Sequence, residues 1–139
     1  MNAKSSEAVW TPPEKLHFIG IAGAGMAPLA RIALELGCRV SGSDLLDTAK
    51  CRSLRALGCA IAVGHDAGNL PADAEAIVYS SAVGPDNPER LEARSRRLPE
   101  WRRGEFLSLL ARRFHRPVAV AGAHGKTSIT ALLSWILRR

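Results

Sequence analysis

Apolar residues in this chain fall in short continuous runs, and between the runs lie longer stretches where they recur every three or four positions. Leu16-His17-Phe18-Ile19-Gly20-Ile21 is such a run; it ends in glycine and predicts a buried parallel strand. From Met26 to Leu36 the apolar residues Met26, Leu29, Ala30, Ala33 and Leu36 keep helical spacing. Pro28 sits in the tolerant first turn, and Gly37 follows as a C-terminal cap. The same device recurs: Leu36-Gly37-Cys38-Arg39-Val40 and Leu57-Gly58-Cys59-Ala60-Ile61 each put a capping glycine, a cysteine and a strand after a helix. Each strand runs into a polar turn, Ser41-Gly42-Ser43-Asp44 in one case and Gly64-His65-Asp66 in the other. Ala76-Ile77-Val78-Tyr79 predicts a further buried strand that stops at Ser80-Ser81-Ala82. The turn Gly84-Pro85-Asp86-Asn87-Pro88 opens a helix over about 88–97. A weaker strand near Leu98–Trp101, a helix over Glu105–Arg113 and a strand over Val118–Ala121 complete the pattern. A last helix carries Ile129, Leu132, Leu133 and Ile136 on one stripe.

Repeated βα steps of similar length predict an α/β fold, a doubly wound, Rossmann-like parallel sheet of about five strands over residues 16–116. Residues 1–15, ending in Thr11-Pro12-Pro13, read as a flexible tail. Residues 117–139 read as the first strand, phosphate loop and helix of a truncated second domain, because no strand follows the last helix.

Composition narrows the class. Hydrophobic residues make up 47% and charged residues 23% of the 139, which suits a globular chain. No apolar run has the ~20 residues of a membrane span, and Met1–Pro13 has no signal-peptide core, so the cytoplasm is the expected compartment and no membrane partner is expected. Cys38, Cys51 and Cys59 form no CxxC pair; buried thiols are expected rather than a disulfide or zinc site. The net charge of +6 arises mainly between Arg90 and Arg116, where nine arginines face Glu92, Glu100 and Glu105. The few aromatics there do not interleave with the arginines as a base-stacking platform requires. Solvated helix faces, with some attraction for anionic ligands, are expected in place of nucleic-acid binding.

Two glycine-rich turns each lie between a strand and a helix, where free backbone N–H groups and the helix dipole suit phosphates. Gly20-Ile21-Ala22-Gly23-Ala24-Gly25-Met26 departs from the dinucleotide fingerprint, since reading G-x-G-x-x-G from Gly23 puts Pro28 at the third glycine. Asp44 lies near the expected place of a ribose-binding carboxylate. In Gly122-Ala123-His124-Gly125-Lys126-Thr127-Ser128, Lys126 is a phosphate-seeking ammonium and Thr127 a hydroxyl for Mg²⁺, although Val120 replaces the first glycine of the full phosphate-loop pattern.

Taken in order, His17–Met26, Ser41–Asp44, Gly64-His65, Ser80-Ser81-Ala82, Asp86-Asn87-Pro88-Glu89 and Gly122–Ser128 resemble the Mur ligases of peptidoglycan synthesis. The likeness runs from about Leu16 to Leu137, and within the family it favours members that join L-alanine to UDP-N-acetylmuramate. It implies a three-domain enzyme in which ATP phosphorylates the lactyl carboxylate and the L-alanine amine then attacks the acyl phosphate. By the same resemblance Gly23, Ala24, Gly25 and Met26 would hold the UDP diphosphate with Ser80, Ser81 and Ala82 beside it, and Asp44 and His65 would face the uridine. Gly122, Ala123, His124, Gly125, Lys126, Thr127 and Ser128 would bind ATP, with Lys126 on the β/γ-phosphates as the catalytic lysine and Thr127 on Mg²⁺. Ala123 stands where the family usually has threonine, which removes one hydroxyl contact. The resemblance also implies that these 139 residues are inactive alone. Two other readings use the same residues. A Rossmann oxidoreductase would place NAD at Gly20–Gly25 and Asp44, and a nucleic-acid-binding module would use the Arg90–Arg116 stretch.

Overall fold

The computed structural model describes residues 10–138. Strands β1 (Lys15–Ile19), β2 (Arg39–Asp44), β3 (Ala60–Val63), β4 (Ala76–Tyr79) and β5 (Glu100–Arg102) form one sheet in the order β3-β2-β1-β4-β5, with every pairing parallel. Helices α1 (Met26–Glu35), α2 (Ala49–Ala56), α3 (Pro88–Ser95) and α4 (Arg103–Ala111) connect or follow these strands. A single 3₁₀ turn at Ala67–Asn69 lies between β3 and β4. The doubly wound α/β architecture read from the sequence is therefore the one observed.

The sheet has a core on each face because successive side chains of β1 point to opposite sides. Leu16 and Phe18 join Val40, Ala76 and Val78 under Met26, Leu29, Ala30 and Ala33 of α1, Leu54 of α2, and Phe106 and Leu110 of α4. Ile19 and Ile77 pack on the other face with Leu70, Ala74 and Ala93 of α3. Gly42 lets these layers close. A Cβ there would lie 2.6 Å from the Phe18 carbonyl oxygen and 2.7 Å from Ile21 Cδ1.

Two of the helices start on a side-chain cap that the sequence offers. Thr48 accepts a hydrogen bond from Cys51 N–H at the head of α2. Asn87 accepts from Glu89 and Arg90 N–H at the head of α3, where Pro88 occupies the first turn. Arg97, at φ 55°, ends the α3 segment two residues beyond the helix. All three cysteines are buried and free; burial raises the thiol pKa of Cys38, and that of Cys59 to about 11.

Three expectations need correction. Of the tail expected over residues 1–15, residues 1–9 lie outside the described residues. Trp10 packs edge-on against Trp101 and Phe106, with ring centroids 5.9 and 6.1 Å apart, and Lys15 already belongs to β1. The strand expected over Val118–Ala121 does not form. Those residues find no neighbouring strand among the described residues, and a strand alone cannot satisfy its backbone. The helix after it does form, as α5 (Lys126–Leu137), but none of its residues is buried. Finally, the arginines of 90–116 are not all solvated. Arg90 is 7% exposed, lies 3.7 Å over the Tyr79 ring, and donates to Glu100 and to the Val83 carbonyl. Arg94 donates to Glu100 and the Pro85 carbonyl, and Arg96 to the carbonyls of Pro71, Ala72 and Ala74. This part of the basic stretch fastens α3 to the loops around it.

Candidate functional site

The strand order reverses between β1 and β4, the place where open parallel sheets leave a crevice at the carboxyl ends of their strands. A cavity of about 550 Å³ opens there, lined by Gly20, Ala22 and Gly23 after β1, Asp44 at the end of β2 with Leu45 and Leu46 beyond it, His65 after β3, and Ser80, Ala82, Val83, Gly84, Asp86, Asn87 and Pro88 after β4. A second cavity, about 370 Å³, lies at the amino ends of the strands around Lys15, Arg39 and Asp73. Its one glycine, Gly58, belongs to the turn that ends α2, and no helix N-terminus among the described residues faces it.

Hydrogen bonds decide what the first glycine turn can offer a ligand. Gly20 and Ile21 N–H both donate to the Ser43 carbonyl, and Gly20 turns the chain at φ 75°. Ala22 N–H donates to the Asp44 carboxylate at 2.8 Å, and Gly23 N–H to the Gly20 carbonyl at 3.2 Å. Met26 and Ala27 N–H both donate to the Gly23 carbonyl. The amides of Ala24 and Gly25 have no partner among the described residues, and they stand at the N-terminus of α1. That is a two-donor anion site at the positive end of a helix dipole.

Arg103, the first residue of α4, adds to it. A Cβ on Gly25 would lie 2.8 Å from Arg103 Cδ and 2.9 Å from its Nη1, so the glycine makes room for the arginine side chain. No carboxylate or carbonyl pairs with this exposed guanidinium among the described residues. Sequence reasoning missed Arg103 because it read the basic stretch as a surface property; nothing local distinguishes Arg103 from Arg102.

A buried polar cluster borders the cavity on its β2–β3 side. The Glu89 carboxylate, fully buried, accepts from His17 Nε2 at 2.6 Å, His65 Nδ1 at 2.9 Å and Ser43 Oγ at 2.7 Å. His17 Nδ1 meets Ser41 Oγ at 2.8 Å. Burial alone would raise the Glu89 pKa, but the hydrogen bonds from His17, Ser43 and His65 outweigh it and hold the carboxyl below its ordinary value. Glu89 was visible in the sequence only as part of Asp86-Asn87-Pro88-Glu89. Its partners come from β1, β2 and the turn after β3, so no spacing rule could have joined them.

The expected site residues thus divide. Gly23, Asp44, His65, Ser80 and Ala82 line the cavity, and Ala24 and Gly25 present their amides at the head of α1. Met26 is buried in the core and Ser81 is exposed outside the lining. Asp44 fastens the loop through Ala22 and also receives Leu46 N–H at 3.4 Å, and Ser80 Oγ receives Ala82 N–H at 3.4 Å. The second set, Gly122, Ala123, His124, Gly125, Lys126, Thr127 and Ser128, is exposed throughout and lines none of this cavity. Gly125 takes φ 76° at the head of α5, and Lys126 Nζ donates back to the Gly122 carbonyl. The described residues hold no group of His, Cys, Asp and Glu suited to a metal ion, and no helix among them is long and apolar enough to cross a membrane.

A family model described as "Mur ligase family, catalytic domain" matches residues 15–115. The UDP-N-acetylmuramate–L-alanine ligase of Rhodospirillum rubrum is 51% identical over 122 residues, covering 88% of this chain and 25% of the relative. That of Aquifex aeolicus is 47% identical over 124 residues, covering 89% and 27%. Among solved structures, the UDP-N-acetylmuramate–alanine ligase of Thermotoga maritima superposes with a TM-score of 0.83 at 37% identity, over 89% of this chain and 29% of that one. A UDP-N-acetylmuramate:L-alanyl-γ-D-glutamyl-meso-diaminopimelate ligase from Neisseria meningitides gives 0.81 at 32%, over 90% and 39%. The chain spans about a quarter of the length of the curated relatives it matches.

Proposed function

Because the chain belongs to the Mur ligase family, we propose that it is the UDP-N-acetylmuramate-binding part of a cytoplasmic, ATP-dependent ligase that adds L-alanine to that substrate in peptidoglycan synthesis. The observation that carries the reading is the pair of unpartnered amides at Ala24 and Gly25, at the head of α1 beside the cavity at the β1–β4 switch point. The diphosphate would lie on those amides with Arg103 against it. The uridine would occupy the cavity between Asp44, His65 and Ser80. Met26 would support this loop from the core, with Ser81 and Ala82 at its rim.

Residues 16–116 would form the substrate-binding domain and 117–139 the start of the ATP-binding domain. The phosphate loop fits its assignment in chemistry, with backbone amides at a helix start, an ammonium at Lys126 and hydroxyls at Thr127 and Ser128. ATP with Mg²⁺ on Thr127 would supply the phosphoryl group that activates the lactyl carboxylate. Around this loop the described residues offer no wall for a nucleotide and no second metal-binding carboxylate, so the chain by itself should not turn over ATP.

The test is thermal unfolding with UDP-N-acetylmuramate, NADH or an oligonucleotide. UDP-N-acetylmuramate at about 100 times its Kd should stabilise the fold by ~2.7 kcal/mol, and Gly25→Val should remove the shift. A shift of equal size in Gly25→Val, or a shift with NADH alone, would overturn the assignment.

A further inference from the structure

Resting on the proposed uridine-diphosphate site, we propose that Glu89 is a positioning residue that locks His65 with Nδ1 protonated, so that Nε2 meets the nucleotide as a hydrogen-bond acceptor. The ligand group it selects is an N–H or O–H donor on the nucleoside half, either the uracil imide N–H or the ribose 2′-hydroxyl.

The argument starts from the number of donors converging on one carboxylate. Glu89 faces His17 Nε2, His65 Nδ1 and Ser43 Oγ, all within 2.9 Å, in a place with no water access. An ionised carboxylate only accepts, so each of these three groups must donate to it. The three hydrogen bonds hold the Glu89 pKa below its ordinary value against the cost of burial, consistent with that ionised form. For His65 the consequence is that the proton sits on Nδ1. In the neutral ring the lone pair is then on Nε2.

The remaining nitrogen has nowhere to go but solvent. No hydrogen bond reaches His65 Nε2 among the described residues, yet no buried side-chain nitrogen or oxygen is left without a partner. Nε2 is therefore accessible. The side chain is 16% exposed, and His65 lines the cavity opposite Ser80 and beside Asp44. His17, the other imidazole on Glu89, cannot play this part because it is 0% exposed and its second nitrogen is used by Ser41. One histidine is thus sealed into the scaffold, and the other is presented to the ligand with a defined polarity.

Two measurements on the whole chain test this. Long-range ¹⁵N–¹H correlation of the imidazole rings should show His65 as the Nδ1–H tautomer; the Nε2–H tautomer would overturn the proposal. Binding of UDP, N3-methyl-UDP and 2′-deoxy-UDP is then measured by calorimetry with the unaltered chain and with His65→Ala. UDP affinity should fall about tenfold in His65→Ala. One of the two modified ligands should bind the unaltered chain about as weakly and be insensitive to His65→Ala, which tells the imide from the hydroxyl. Equal losses for all three ligands in His65→Ala, or no loss for any, would overturn it. Failure of the unaltered chain to bind UDP would remove the parent reading as well, whereas UDP binding with indifference to His65 removes only this inference. Glu89→Gln, whose amide can donate where the carboxylate only accepts, should shift the His65 ring toward the other tautomer wherever that variant folds. The tautomer and the His65→Ala cycle decide the matter without it.

Discussion

The turn after β1 and the turn before α5 are built from similar residues, but the chain surrounds them very differently. In the first, neighbouring strands take up most of the backbone donors: Ser43 receives Gly20 and Ile21, and Asp44 receives Ala22, so two amides remain free at a fixed place. In the second, Lys126 is folded onto the carbonyl of Gly122, and the helix beyond exposes Ile129, Leu132, Trp135 and Ile136. A glycine turn before a helix is thus necessary for an anion site but does not complete one. What completes it is the sheet, which decides which donors are consumed and which face the ligand.

The largest effect that separates the two regions should come from Gly42, under the first turn. Gly42→Ala drives a Cβ into the Phe18 carbonyl and Ile21, and should cost about 3 kcal/mol or more in urea denaturation. A substitution at Gly104, where a Cβ meets nothing within 4 Å, should not approach this.

Next in size is the loss of Glu89. Glu89→Ala leaves buried donors at His17 and Ser43 without their acceptor, and should cost about 3 kcal/mol. The same network sets a pH dependence. Since the folded Glu89 pKa lies below its ordinary value, the unfolded chain takes up the proton first as pH falls. The stabilisation is complete above the unfolded carboxyl pKa and is lost as pH drops through the folded one. Urea midpoints measured from pH 7 downward should fall, and Glu89→Gln should flatten that decline. Glu100, depressed by Arg90 and Arg94 against its own burial, should retain part of the slope.

Arg103→Ala comes third. It should leave the melting temperature of the free chain within about 0.5 kcal/mol of stability, yet weaken UDP-N-acetylmuramate binding about tenfold by calorimetry. Smallest of all is Lys126→Ala. It should change neither stability beyond about 0.5 kcal/mol nor affinity for the UDP-sugar, because its one hydrogen bond is exposed and local. A loss of UDP-sugar affinity in Lys126→Ala would mean that the two turns act on one ligand.

These differences also mark what could be read from the chain in advance. The strands and helices of 15–111 were legible because their apolar runs and caps act locally, and Asn87-Pro88 fixes a helix start from two residues. The strand over Val118–Ala121 was misread because strand formation depends on a partner that a local apolar run cannot supply. Gly23, Asp44, His65 and Ser80, picked out through the glycine turn and the family resemblance, do line the cavity, because Asp44 ends β2 and the other three lie just past the carboxyl ends of β1, β3 and β4. Glu89 and Arg103 were not legible, since their roles come from contacts across 72 positions to His17 in one case and from the room Gly25 leaves in the other. Arg90 was misjudged for a similar reason: its burial follows from Tyr79 and Glu100, not from the charge run it belongs to.

The central claim is that the free amides at the head of α1 are the diphosphate site. A ¹⁵N–¹H correlation titration of the whole chain with UDP tests it most directly. The largest amide shifts should fall on Ala24 and Gly25, with smaller ones at Ser80 and in the loop from Asp44, and none beyond noise from Gly122 to Ser128. Saturable shifts confined to Gly122–Ser128, or no shifts at Ala24 and Gly25 at saturation, would contradict it.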